Sequence, residues 1–203
     1  MKSEMKAAVL ALQGAFIEHE QVLQRLGVET VEIRQLKDWQ KFVSSASPSL
    51  LGGVRGRLDR GRLLILPGGE STVQLRLLKE LGLFEPIRQA IADGMPVLGT
   101  CAGMILLSQG YLGTMDIRVR RNAYGRQLGS FHTTGFVEGI GDDVPMTFIR
   151  APYIEEVLSA DCQPIAEVDG HIVAARQGNQ IATAFHPELD DDTRLHQLLI
   201  SLQ

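Results

Sequence analysis

The feature that most restricts this chain is a short turn, Gly99-Thr100-Cys101-Ala102-Gly103, set between two apolar runs. Ahead of it stands Met95-Pro96-Val97-Leu98, bounded by Gly94. Behind it stands Met104-Ile105-Leu106-Leu107-Ser108-Gln109. The pattern is a buried strand, a cramped turn and a helix. Glycine two residues either side of Cys101 removes the Cβ atoms that would crowd such a turn, and the central residue is forced into strained backbone angles. With serine at the centre, the same arrangement is the nucleophile elbow of hydrolases. At the N-terminus of a helix, the macrodipole favours the thiolate, the reactive form of cysteine. Taken alone, the turn suits a buried structural cysteine equally well, since free cysteine is among the most buried residue types.

The segments around the turn predict an α/β chain. Ala7 to Leu12 reads as a buried strand ended by Gln13-Gly14. Phe16 to Leu26 reads as a helix with Phe16, Val22, Leu23 and Leu26 inward, stopped by Gly27. Val28 to Ile33 suits a second strand, and this β-α-β opening points to a parallel sheet. Lys37 to Val43 is a candidate short helix. Leu63 to Leu66 is a strand ended by Pro67-Gly68-Gly69-Glu70-Ser71-Thr72. A helix with Leu75, Leu78 and Leu81 inward follows, and then a second over Pro86 to Ala92. Beyond Gln109, Met115, Ile117 and Val119 alternate with Asp116, Arg118 and Arg120. Phe131 to Val137 and Val144 to Ile149 read as strands. Pro164 to Val168 and His171 to Arg176 form a hairpin about Asp169-Gly170. Gly178-Asn179 turns into Ile181 to Phe185, and a last helix carries Leu195, Leu198, Leu199 and Leu202. We expect helices on either side of a mixed, mostly parallel central sheet, a three-layer, flavodoxin-like arrangement with a more antiparallel second half.

At 203 residues, a single domain spanning 1–203 is expected, with a substantial core. The segment from Ser44 to Arg62 interrupts it with Gly52, Gly53, Gly56 and Gly61 and four arginines. It reads as a flexible surface insertion, with a basic docking loop as the sharper alternative. A net charge of -4 argues against a broad nucleic-acid surface. The two cysteines, Cys101 and Cys162, are too few for a disulfide framework and fit a reducing compartment. The charged start, with too short an apolar run after it for a signal peptide, and the lack of any apolar run near the roughly 20 residues of a membrane span predict a soluble cytoplasmic protein.

Three motifs each follow a predicted strand: Gly68-Gly69, Cys101 and His186-Pro187-Glu188. Open α/β sheets gather their ligand sites at the carboxyl ends of strands. In extended chain, residues two apart share a side, so Glu188 can reach back to His186. A cysteine nucleophile, a histidine base and an orienting carboxylate make a triad. Its oxyanion donors would be the uncovered N–H groups of the Gly68-Gly69 turn, chiefly Gly69, and of Ala102. A tight strand-to-helix turn capped by Ser71 or Thr72 is the plainer account of Gly68-Gly69, and no Gly-Lys-Ser/Thr follows to suggest a phosphate loop. His19, His132, His171 and His196 have no comparable setting and read as structural. No Cys/His cluster points to a metal, and no cofactor is expected.

Together, Pro67 to Thr72, Gly99 to Gly103 and Phe185-His186-Pro187-Glu188 resemble the class I, triad-type glutamine amidotransferases. Leu12-Gln13-Gly14-Ala15 with Glu18-His19, Arg121 to Gln127, and Phe148-Ile149-Arg150-Ala151-Pro152 narrow the resemblance to the glutaminase subunits of pyridoxal 5'-phosphate synthase. It covers the chain from about Ala7 to the last helix. It implies Cys101 as nucleophile, with His186 and Glu188 completing the triad. It also implies a glutamine site from Gly68, Gly69, Glu70, Arg121, Ile149 and Arg150. The α-carboxylate and α-ammonium of such a substrate suit arginine and glutamate partners. The implied activity is hydrolysis of L-glutamine to glutamate and ammonia. The implied partner is a barrel-shaped synthase subunit that uses the ammonia to make pyridoxal 5'-phosphate in a hetero-oligomeric complex. Three departures stand out: the 44–62 insertion, Arg120 where an acidic or neutral residue is usual, and Ala123 in place of a common serine. Another cysteine hydrolase of this fold, such as a γ-glutamyl peptidase, and a redox-sensing relative are the competing readings. A sensor needs no general acid for a leaving amine, so His186 with Glu188 argues against the second.

Overall fold

A computed structural model describes residues 5–45, 61–121 and 130–203. Most of the 44–62 insertion and the stretch from Asn122 to Gln127, with Ala123, lie outside the described residues. The first half alternates strands and helices: β1 (Lys6–Leu10), α1 (Phe16–Arg25), β2 (Glu29–Ile33), α2 (Leu36–Ser44), β3 (Arg62–Leu66), α3 (Ser71–Glu80), α4 (Phe84–Ala92), β4 (Val97–Thr100) and α5 (Ala102–Leu107). The second half is mostly strand: β5 (Ile117–Arg120), β6 (Ser130–Val137), β7 (Gly141–Ile149), β8 (Tyr153–Val157), β9 (Cys162–Val168), β10 (His171–Gln177) and β11 (Gln180–Thr183). A 3₁₀ turn over Pro187–Leu189 and α6 (Arg194–Ile200) close the chain.

A nine-stranded sheet runs β2-β1-β3-β4-β11-β10-β8-β5, with β9 also paired to β10; β6 and β7 form a separate ribbon. From β2 to β11 all neighbours are parallel, and from β11 to β5 all are antiparallel. The parallel strands read as continuous apolar runs because both of their faces are covered: Ala7 to Leu10, Leu63 to Leu66, and Val97 with Leu98 are fully buried. In the second half, β6 alternates exposed and half-buried residues, whereas β10 and β11 keep buried runs, Val173 to Ala175 and Ile181 to Thr183. The turn at Asp169-Gly170 takes positive φ at both residues, +51° and +77°, the twist that suits a two-residue hairpin.

One strand escapes the sequence pattern. Tyr-Ile-Glu-Glu-Val of β8 carries adjacent acids that suggest solvent. Both are exposed, and both also face the arginines of edge strand β5: Arg118 pairs with Glu156, and Arg120 lies 3.6 Å from Glu155. Arg120, unusual against the expected pattern, is thus half of a cross-strand ion pair.

The register explains why the motifs meet. β3 pairs with β4 up to Leu66 and Gly99, and β4 pairs with β11 up to Thr100 and Thr183. Pro67-Gly68-Gly69, Cys101 and His186 each stand one to three residues past the ends of these adjacent strands. Three loops therefore leave the sheet side by side at its carboxyl edge.

Candidate active site

Cys101 sits at the head of α5 with φ 49° and ψ -99°, outside the ordinary regions for a side-chain-bearing residue. Such backbone persists only where its surroundings over-determine it, at a cost on the order of 1–3 kcal/mol. The surroundings are visible. The Cys101 N–H donates to the Thr183 carbonyl at 2.7 Å, which ties the turn to β11. A Cβ on Gly103 would stand 1.9 Å from the Leu66 carbonyl oxygen, and one on Gly99 would stand 2.6 Å from the Gly103 oxygen. Only glycine at both places lets α5 lie this close to β3 and β4.

His186 is placed by the next strand end, its N–H donating to the Thr147 carbonyl at 2.8 Å. Its Nδ1 donates to Glu188 Oε1 at 2.7 Å, and Cys101 stands close enough to the ring to act on its charge. Pro187 opens the 3₁₀ turn that folds Glu188 back under the imidazole. Burial disfavours the charged imidazole, but Cys101 beside it and the hydrogen bond to Glu188, with the coulombic pull of both, outweigh it and raise His186 to about 10. Burial also works against the Glu188 carboxylate. The His19 N–H facing it, the hydrogen bond from His186 and the His186 charge prevail, and its pKa is lowered. The pair is therefore imidazolium and carboxylate at neutral pH.

The cavity beside Cys101 has a volume of about 400 Å³, within the usual range for a small-ligand site. Gly68, Gly69, Glu70, Ile149, Arg150 and His186 line it with Cys101, and Gln13 and Ala15 complete the wall. Arg121 and Ala102 line an adjoining hollow that shares Gly69, Glu70, Cys101 and Arg150. Arg121 reaches Thr72 Oγ1 at 3.3 Å, the Tyr111 hydroxyl at 3.4 Å and Glu70 Oε1 at 3.7 Å. Arg150 holds its side chain at the cavity from a left-handed backbone, φ 44°. Among the described residues no group of His, Cys, Asp and Glu could hold a metal ion. No helix there is long and apolar enough to cross a membrane.

The geometry adds residues that the motifs did not single out for the site. Gln13 Oε1 accepts from the Glu70 N–H at 2.7 Å, while Gln74 Nε2 donates to the carbonyls of Gln13 and Pro67 at 3.0 and 3.2 Å. The Ala15 N–H donates to the Gly68 carbonyl at 3.2 Å. No peptide bond is cis among the described residues, so the Gly69 N–H points opposite to that carbonyl. A Cβ on Gly14 would lie 1.8 Å from the Gly68 oxygen, which is why glycine follows Gln13. His19 and His196, read as structural, are fully buried and reach the back of the triad: His19 Nε2 lies 3.3 Å from Glu188 Oε2. Their signal in the sequence is a histidine on an apolar stripe, His19 with Phe16 and Leu23, His196 beside Leu195 and Leu199. His132 instead lies 3.3 Å from Asp190, and His171 stacks on Tyr153.

The chain is 51% identical to the pyridoxal 5'-phosphate synthase subunit PdxT of Desulfitobacterium hafniense, over 97% of this chain and 92% of that one. It is 50% identical to the protein of the same name from Streptococcus pneumoniae, over 98% and 97%. A crystal structure of a glutamine amidotransferase superposes with a TM-score of 0.80 at 36% identity, covering 97% of both chains. A glutamine amidotransferase from Thermotoga maritima shares the fold alone, with a TM-score of 0.60 at 14% identity over 98% and 94%. The profile of the SNO glutamine amidotransferase family matches residues 9–202. With a cysteine elbow, a His-Glu pair behind it and this whole-length likeness, the chain belongs to the SNO glutamine amidotransferase family.

Proposed function

We propose that this chain is the glutaminase subunit of a pyridoxal 5'-phosphate synthase and that Cys101, His186 and Glu188 carry its chemistry. The observation that carries the reading is the line from Cys101 through the imidazole to a buried carboxylate, opening on a cavity sized for an amino acid. Glutamine binds with its charged end toward Glu70, Arg121 and Arg150 and its carboxamide at Cys101, with Gly68, Gly69 and Ile149 shaping the wall.

The Cys101 thiolate attacks the carboxamide carbon and forms a C–S bond. The oxyanion that develops accepts from the N–H groups of Gly69 and Ala102. The His186 imidazolium gives its proton to the amine, the C–N bond breaks, and ammonia leaves a γ-glutamyl thioester. The neutral imidazole then takes a proton from water, whose oxygen attacks the thioester. Collapse releases glutamate and restores thiolate and imidazolium. Glu188 holds the ring and offsets its charge throughout.

Ammonia is a nucleophile only while unprotonated, so its value depends on passage to a docked synthase subunit. The matched relatives are named as synthase subunits, which supports that partner. Two unpaired cysteines support a reducing, cytoplasmic setting.

The test is glutamate release with and without the synthase subunit, together with transfer of ¹⁵N from amide-labelled glutamine into pyridoxal 5'-phosphate. Parent protein should turn over faster when docked and deliver the label. Cys101→Ala should do neither. Turnover surviving in Cys101→Ala would end the nucleophile assignment, and turnover indifferent to the synthase would end the partner assignment.

A further inference from the structure

Behind Glu188 lies a polar chain that the triad chemistry does not use. His19 from α1 and His196 from α6 are both fully buried, with Nδ1 of the first 2.9 Å from Nε2 of the second. His19 Nε2 lies 3.1 Å from Thr100 Oγ1 and 3.3 Å from Glu188 Oε2. Thr100 precedes the nucleophile, and Glu188 carries the imidazole. One ring edge therefore touches both halves of the site.

The contacts allow only one economical placement of protons. A buried carboxylate oxygen must face a donor, not a lone pair. His19 Nε2 therefore carries its proton, shared between Thr100 Oγ1 and the field of Glu188. Its Nδ1 is then bare and accepts from the His196 Nε2–H. His196 Nδ1 is left bare in turn, and it has no partner among the described residues. In the opposite arrangement that atom would be an orphaned N–H, and a lone pair would face the carboxylate. Burial lowers the pKa of both rings, against the pull of Glu188 at His19, so both are neutral. Glu188 Oε2 has no hydrogen-bond partner of good geometry among the described residues, so the His19 N–H, 3.3 Å away, acts on it as a facing dipole.

We propose that His19 and His196 are a positioning pair: His19 presents an N–H to the back of Glu188 and the residue before the nucleophile, and His196 fixes the His19 tautomer. The proposal rests on the triad reading above. The pair keeps Glu188 Oε1 on the imidazole and Oε2 away from it, so that His186 holds its aim through both proton transfers. Neither ring lines the cavity, so substrate binding is not part of the role.

The test exploits amide mimics in the complex with the synthase subunit. Glutamine sets its amide nitrogen near the position of Nε2, and asparagine near that of Nδ1. His19→Asn should lose about tenfold in kcat, the upper scale of a lost neutral hydrogen bond. His19→Gln should stay within about threefold of parent, and KM for glutamine should move less than about twofold in both. Equal losses in the two variants would overturn the pair, and so would a His19→Leu variant, which fills the space without a donor, within about threefold of parent. Cys101→Ala, assayed alongside, separates the two levels: its turnover would overturn the triad, whereas its silence beside equal Asn and Gln variants overturns only the pair. If no His19 variant folds, His196→Phe decides, because it keeps a ring but removes the donor to His19. A kcat there within about twofold of parent overturns the proposal, and a loss of about threefold or more at unchanged KM supports it.

Discussion

Adding one methyl group at Gly68 should silence the enzyme while leaving it folded. Gly68 does not use the positive φ that many glycines here require, so alanine is allowed by its backbone. Its Cβ would stand 2.3 Å from His186 Cε1, 2.9 Å from Nδ1 and 3.4 Å from Nε2, with the imidazole its closest conflict. The ring must retreat by about 1 Å to reach ordinary contact. Glu188 cannot follow, because its carboxylate is fully buried and the His19 imidazole stands behind it. The 2.7 Å bond from Nδ1 to Oε1 then lengthens beyond hydrogen-bonding range. A displacement of that size at a reacting group costs on the order of 10²-fold in rate. Loss of the charged hydrogen bond costs about 1.5–3 kcal/mol of stability, or roughly 3–12 °C in Tm for a chain of this size. Glutamate release by the synthase-bound variant measures the first effect, and a thermal melt measures the second. The control is the double variant. With His186→Ala already in place the clash is gone, and Gly68→Ala should then be neutral or slightly stabilising. A Gly68→Ala enzyme with kcat within about threefold of parent would refute the placement of the imidazole against this turn.

Three other outcomes are expected. His186 is held at about 10 against 6.5 when free, so its stabilisation is complete below pH 6.5 and fades as pH rises through about 10. The Tm gap between parent and His186→Phe should therefore narrow across that window, and a constant gap would contradict the ion pair. Burial, with Asp116 nearby, pushes Cys162 up to about 11, so at neutral pH iodoacetamide should label native protein at Cys101 alone, and Cys101→Ala should take up none. Gly103→Ala puts a methyl 1.9 Å from the Leu66 carbonyl oxygen, main chain of a buried strand that cannot yield. It should cost about 3 kcal/mol or more in urea unfolding, and a midpoint unchanged from parent would contradict the close packing of α5 on β3.

Much of the site was legible because its signals are local. Glycine two residues either side of Cys101 announces a crowded turn, and the φ of 49° is what that crowding produces. The i, i+2 spacing brings Glu188 to His186 within one turn of chain. The roles of Gly68, Gly69, Glu70, Arg121, Ile149 and Arg150 came from family resemblance, and the cavity and its side hollow contain all of them. What stayed hidden depends on partners distant in the chain. Glu155 and Glu156 disguised β8 because their arginines lie on another strand. Gln13 gave no sign that it would brace the turn at Glu70, 57 positions on.

By itself, then, the sequence determined which segments are strand, turn and helix, β8 excepted, and which residue follows each strand that carries the site. Those outcomes follow from sterics and periodicity over a few neighbouring residues. The tertiary structure alone decided that β3, β4 and β11 lie side by side in register, so that their end loops share one cavity. It also decided that two histidines 177 positions apart bond behind the triad. Hydrogen bonds are short and directional. Which buried groups complete one another is settled only when the sheet has fixed their distances.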